Sequence, residues 1–221
     1  MSSFRPWKPC GLPVAKVIAT IGTKGGSGKS STAHLLAHGA GSLPRPITAI
    51  VLTTDPGDRM REDARRYGII DARNRDALIA CMQKFLPVER LLIVIDGAAS
   101  RPDVDRIVAE VADLAVLPYR AGTQDAERAV DDLARMPKAV ALPMGWPRHP
   151  GTAKRAKQWL TAIPTDRRLP PFPHLPKLDA MLSADGYEAA AYDLASPARG
   201  LVLEVLARAG IDPDELQEPK P

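Results

Sequence analysis

The chain has little cysteine: only Cys10 and Cys81, with neither metal nor redox spacing. Two unpaired thiols in a reducing compartment are the expectation. No apolar run approaches the length that spans a bilayer, and the N-terminal "MSSFRPWKPCGLP" lacks the apolar core of a secretory signal. A soluble cytoplasmic protein is therefore expected. Internal repeats and low-complexity stretches are missing too. Charge of one sign is not in large excess, since 30 basic and 26 acidic residues give a net charge of +4. That balance permits a polyanionic partner without requiring one, so the placement of the charges matters more than their sum. Proline, by contrast, is abundant, at 22 of 221 residues. It gathers in the N-terminal arm, in "MPKAVALPMGWPRHPG" and in "IPTDRRLPPFPHLP". Loops and element ends are expected there, because proline lacks a backbone donor.

Short apolar runs alternate with longer helical patterns, which predicts a doubly wound α/β domain with a mainly parallel sheet and helices on both faces. Strands are expected in "VAKVIATIG", "ITAIVLTTD", "RLLIVIDG", "DLAVLP" and "KAVALPM". "RLLIVIDG" is the most apolar, as befits a central strand buried on both faces. Helices are expected in "SSTAHLLAHGA", "DRMREDARRYG", "RDALIACMQKFL", "DVDRIVAEVA", "TQDAERAVDDLARM", "TAKRAKQWLTAI", "KLDAMLSADG" and "SPARGLVLEVLARAG". Ligands of such a fold bind at the carboxyl ends of its strands.

The stretch "GTKGGSGKSS", residues 22–31, lies between the first strand and the first helix. Gly25, Gly26 and Gly28 allow the backbone to approach oxygen atoms closely, and successive N–H groups at a helix N-terminus bind anionic phosphate. Lys29 adds a point charge for the β- and γ-phosphates, and the Ser30 hydroxyl suits Mg²⁺. The usual motif would place glycine at position 23, where Thr23 stands, and has no place for a second lysine, Lys24.

The order K-G-G-x-G-K-S resembles the deviant Walker A motif of the ParA/MinD superfamily of ATPases. That resemblance implies a P-loop ATPase using ATP and Mg²⁺, with Lys24, Gly25, Gly26, Ser27, Gly28, Lys29, Ser30 and Ser31 around the nucleotide. It also implies that Lys24 reaches across a sandwich dimer to the partner's phosphates, making Lys24, Lys29 and Asp55 the catalytic set. Asp55, in "TTDP", resembles the second aspartate of the family's switch I, which positions the attacking water; Thr53 and Gly57 replace that motif's first aspartate and its glutamine. Asp96, ending "LLIVID", resembles the Walker B aspartate, so Ser30, Asp55 and Asp96 are the implied magnesium residues. The family's prolines after Walker B are replaced by Gly97, Ala98 and Ala99. The implied organisation is an arm (1–13), an ATPase domain (14–210) and an acidic, proline-rich tail (211–221). The resemblance puts Pro143 or Met144 where relatives often carry asparagine, and implies that "LPPFPHLP" supplies the second wall of the base pocket, without naming the base contacts.

Six basic residues (Arg148, Lys154, Arg155, Lys157, Arg167 and Arg168) stand against one acid, Asp166, in the stretch 148–168. Arg148, Lys154, Arg155 and Lys157 are the candidate contacts to DNA phosphates. The resemblance is to a short ParA type without a helix-turn-helix module. It implies an ATP-bound homodimer on nonspecific double-stranded DNA, associated with the nucleoid, and a ParB-type partner carrying a plasmid, chromosome or protein cargo. A membrane-associated, MinD-like positioning ATPase is the alternative. The acidic tail, where that class has a basic amphipathic helix, points away from a membrane. An iron–sulfur reductase fits poorly with the positions of the two cysteines. A metabolic synthetase would need a substrate-binding insertion that is not apparent. His34 and His38 have metal-pair spacing, but the helix carrying them belongs against the sheet.

Overall fold

A computed structural model describes residues 12, 14–55, 65–98, 102–120, 122–183 and 186–216. Its strands are β1 (Lys16–Thr20), β2 (Thr48–Thr53), β3 (Gly68–Asp71), β4 (Leu91–Asp96), β5 (Leu114–Arg120) and β6 (Ala139–Met144). Its α-helices are α1 (Lys29–Gly41), α2 (Arg75–Phe85), α3 (Pro102–Val111), α4 (Thr123–Arg135), α5 (Pro150–Thr161), α6 (Leu178–Met181) and α7 (Tyr187–Arg208). The strands form one parallel sheet in the order β3-β2-β4-β1-β5-β6. All carboxyl ends therefore share one edge, with β1 and its loop near the middle.

Alternation along each strand sends residues to two cores. Ile18, Val51, Leu92, Val94, Val116 and Leu142 pack on one face with α1 and α7. Val17, Ala19, Leu52, Ile93, Ile95 and Leu117 pack on the other with α2, α3 and α4. Every residue of β4 is buried, as its unbroken apolar run requires.

Three expectations change. The strand β3 was not foreseen: "GIID" is only four residues long, half-exposed at the sheet edge, and follows a charged run with helical periodicity. Of the helix expected over 58–68, residues 58–64 lie outside the described residues, and Gly68 already belongs to β3. The helix expected over 177–186 shrinks to the four residues of α6, while α7 begins at Tyr187 and runs through Pro197. Ser-Pro reads as a helix start because proline is favoured in the first turn. Packing overrides that preference: α7 lies so close to α1 that a Cβ on Gly39 would stand 2.3 Å from the Ala198 carbonyl oxygen.

Candidate nucleotide site

The site is built on the carboxyl edge of β1, β2 and β4. Thr20, Asp96 and Thr53 are register partners across these strands, which sets Asp96 beside the loop leaving β1. In that loop Gly26 and Gly28 have φ of 73° and 106°. Residues with a Cβ avoid that left-handed region. Gly28 caps α1, and its carbonyl accepts from the Thr32 N–H at 2.8 Å. The free N–H groups of the first turn thus face the loop's hollow. The Ser27 hydroxyl is buried with no hydrogen-bond partner among the described residues. An unpartnered donor inside an anion-binding loop fits an oxygen-rich ligand.

Lys29 is only 7% exposed, and its Nζ donates to the Lys24 carbonyl at 2.9 Å. Burial pulls its pKa below the usual lysine value, and the carboxylates of Asp105, Asp96, Asp55 and Asp132 oppose that shift. The structure therefore brings Lys29 within the field of both aspartates named from the sequence. Asp96 is fully buried, and its backbone carbonyl accepts from the Thr54 hydroxyl at 2.7 Å. Gly97 follows because nothing larger fits: a Cβ there would lie 2.7 Å from the Thr20 carbonyl and 3.0 Å from Asp105 Oδ1. Ser30 and Ser31 are half-buried in the first turn of α1.

Lys24 forms an ion pair with Asp125, in the first turn of α4. Two turns on, Asp132 accepts from the backbone N–H and the hydroxyl of Thr23, at 3.3 and 3.2 Å. Asp105, Asp125 and Asp132 stand outside the motifs of the sequence. The seven-residue spacing of the last two, which places both on one helical face, is the signal that could have found them.

Beyond the loop opens a cleft of about 560 Å³. Ser27, Gly28 and Ser31 line it on the side of the glycine-rich loop, with Arg120 and Met144 from the ends of β5 and β6. Thr152, Arg155, Ala156 and Trp159 of α5 form one wall, and His174, Leu175, Leu178 and Asp179 the other. Met144 and two residues of the proline-rich stretch, His174 and Leu175, line this cleft; Pro143 accepts from the Phe172 N–H through its carbonyl, at 2.8 Å. Leu169, Phe172 and His174 hydrogen-bond through their N–H groups to Ala141, Pro143 and Trp146, which ties the stretch alongside β6.

The basic residues of 148–168 separate into groups. Arg167 donates to the carbonyls of Ala139, Leu133 and Met136 at 2.9, 3.1 and 2.8 Å, and Arg168 to those of Leu160 and Ile163. Both clamp the backbone. Arg148, Lys154, Arg155 and Lys157 are exposed, but only Arg155 of these lines the cleft. His34 and His38 are buried, with their Nδ1 atoms against the hydroxyls of Tyr67 and Tyr187 at 2.7 and 3.0 Å. No described helix is long and apolar enough to cross a membrane.

No family model and no curated protein matches the chain. Solved structures do. The ATP complex of a McdA variant from Cyanothece superposes with a TM-score of 0.64 at 15% identity, over 95% of this chain and 100% of that one. A plasmid partition protein from Borrelia burgdorferi, bound to AMPPNP, gives 0.60 at 12% identity over 86% and 99%. The septum site-determining protein MinD from Pyrococcus horikoshii, complexed with Mg-ADP, gives 0.57 at 14% identity over 89% and 98%. The chain has the fold of the ParA/MinD ATPases. It shares that fold over nearly its whole length, with the glycine-rich loop between the first strand and helix.

Proposed function

We propose that the protein is a ParA-like ATPase that closes into a sandwich dimer around ATP, binds DNA without sequence preference and moves or positions a cargo through a ParB-type partner. The observation that carries this reading is the pairing of two lysines in one loop: Lys29 buried among carboxylates, and Lys24 at the loop's front on a flexible stem. An ammonium that leaves Asp125 for a second subunit's triphosphate couples assembly to the charge of the bound nucleotide. Loss of the γ-phosphate weakens that coupling and releases the dimer.

Ser30, Asp55 and Asp96 would hold the magnesium ion, which when bound neutralises charge on the β- and γ-phosphates. The loop N–H groups and Ser27 bind phosphate oxygens, Lys29 sets their position, and Asp55 orients the attacking water. Arg148, Lys154 and Lys157 supply phosphate contacts to DNA, doubled by a two-fold dimer.

The test is DNA retardation with ATP, with ADP and without nucleotide, alongside a mass measurement in each state. Retardation and a doubled mass with ATP alone are expected, the retardation falling steeply with salt. A single protomer in every state, including with Asp55→Ala, would overturn the dimer. ATP-dependent sedimentation with anionic liposomes, and no DNA retention, would replace this reading with a membrane-positioning one.

A further inference from the structure

We propose that Arg120 and Arg155 are nucleotide-binding residues, a pair of guanidiniums that holds the sugar and base end of ATP in the cleft, and that Arg155 does not act on DNA. The inference rests on the ATPase reading and adds the recognition of the nucleotide's far end.

The placement of Arg155 follows from the helix period. Thr152, Arg155, Ala156 and Trp159 stand at i, i+3, i+4 and i+7, a single face of α5, and all four line the cleft. Lys154 and Lys157 fall outside that face, and neither lines it. The sequence cluster is thus divided by geometry into one charge turned toward the phosphate loop and two turned elsewhere. Arg120 is the last residue of β5 and the register partner of Met144. A Cβ on Gly28 would touch the Met144 side chain at 3.6 Å. Arg120 therefore ends one strand away from the loop that binds phosphate.

Among the described residues neither guanidinium has a hydrogen bond or ion pair of its own. The contrast with Arg167 and Arg168, whose guanidiniums are consumed by backbone carbonyls, separates structural arginines from available ones. Asp179 is the one carboxylate lining the cleft among the described residues, and it is exposed. Two exposed cations near a helix N-terminus make the hollow attractive to an anion. Its volume, about 560 Å³, suits a nucleotide. No Asn or Gln side chain lines it among the described residues. Base recognition then falls to planar stacking, for which a guanidinium is well shaped and an ammonium is not.

Calorimetric titration with Mg-ATP of the full chain tests this. Arg155→Ala and Arg120→Ala should each raise the Kd for ATP about tenfold or more, the usual cost of losing a charged contact. Arg155→Lys should recover part of the loss, whereas removal of an exposed charge away from the cleft, by Lys84→Ala in α2, should leave the affinity at the wild-type value. At saturating Mg-ATP, Arg155→Ala should retain DNA like the wild type. Wild-type ATP affinity in Arg155→Ala, or lost DNA retention at saturating ATP, would overturn the proposal while leaving the ATPase reading intact. Failure of the wild-type chain to bind ATP would overturn that reading itself, and the proposal with it.

Discussion

At the phosphate end of the cleft one contiguous stretch, residues 22–31, supplies the turn, the buried hydroxyl and both lysines. At the other end the lining comes from β5, β6, α5 and the stretch leading into α6. The first is a backbone device. Its requirements are positive φ at Gly26 and Gly28 and a helix beginning at Lys29, and such requirements leave a readable order of residue types. The second is a side-chain device assembled from separated segments, and tertiary packing alone decides which residues meet. The contrast teaches where function can be read locally and where it cannot.

The largest expected effect is at the phosphate end. Lys29→Ala should reduce ATP affinity by about a hundredfold or more, because a buried ammonium meets the doubly charged terminal phosphate. A titration giving less than about a threefold change would place the binding energy at the base end instead, inverting the comparison.

Next comes the front of the loop. Lys24→Ala should keep the ATP affinity of the single protomer within about threefold while turnover falls about tenfold or more, the pattern for a group that meets the partner's nucleotide only after the nucleotide has bound. Asp125→Asn removes the carboxylate that holds Lys24 within its own chain. It should therefore shift the ATP-dependent dimer to lower protein concentration. Unchanged turnover in Lys24→Ala would remove the cross-subunit role.

The legibility of the fold follows the same division. Strands β1, β4 and β5 were readable because continuous apolar runs leave a parallel strand little alternative. The edge strand β3 was not, since Gly68–Asp71 carries four residues at half burial next to a charged run. Nor was the start of α7, where Pro197 imitates a first turn while the close approach of Gly39 in α1 to Ala198 holds the helix in place. In the candidate site, Lys29, Asp55 and Asp96 stand at strand or loop ends, where the sequence alone singles them out as candidates. Asp132 was not, because its role depends on α4 passing beside Thr23. Arg155 shares a charged run with Lys154 and Lys157, and only the rotation of α5 tells them apart.

The smallest effect concerns the joint between the two ends. Helix α1 starts at the phosphate loop, and its far half meets α7, which follows the α6 wall of the cleft. There His38 is fully buried, with Nε2 2.9 Å from the Ala191 carbonyl and Nδ1 3.0 Å from the Tyr187 hydroxyl. A carbonyl only accepts, so Nε2 carries the proton and Nδ1 accepts from the tyrosine. Burial lowers the pKa of His38 from 6.5; the Ala191 bond opposes this, and Arg66 and Arg65 lower it further. A base whose pKa is depressed by folding takes up its proton first in the unfolded chain. Stability is therefore complete above pH 6.5 and declines as the pH falls from there toward the folded value, by about 1.4 kcal/mol for each pKa unit of depression. The melting temperature should accordingly drop between pH 7.5 and 5.5, and His38→Gln, which keeps a donor for Ala191, should flatten that part of the profile. Because the bond joins α1 to α7 and not to the loop, the acid loss should weaken the wall carrying Leu178 and Asp179 before it disturbs Lys29. An equal drop in the His38→Gln protein would assign the pH dependence to other groups and leave the two ends of the cleft uncoupled through this contact.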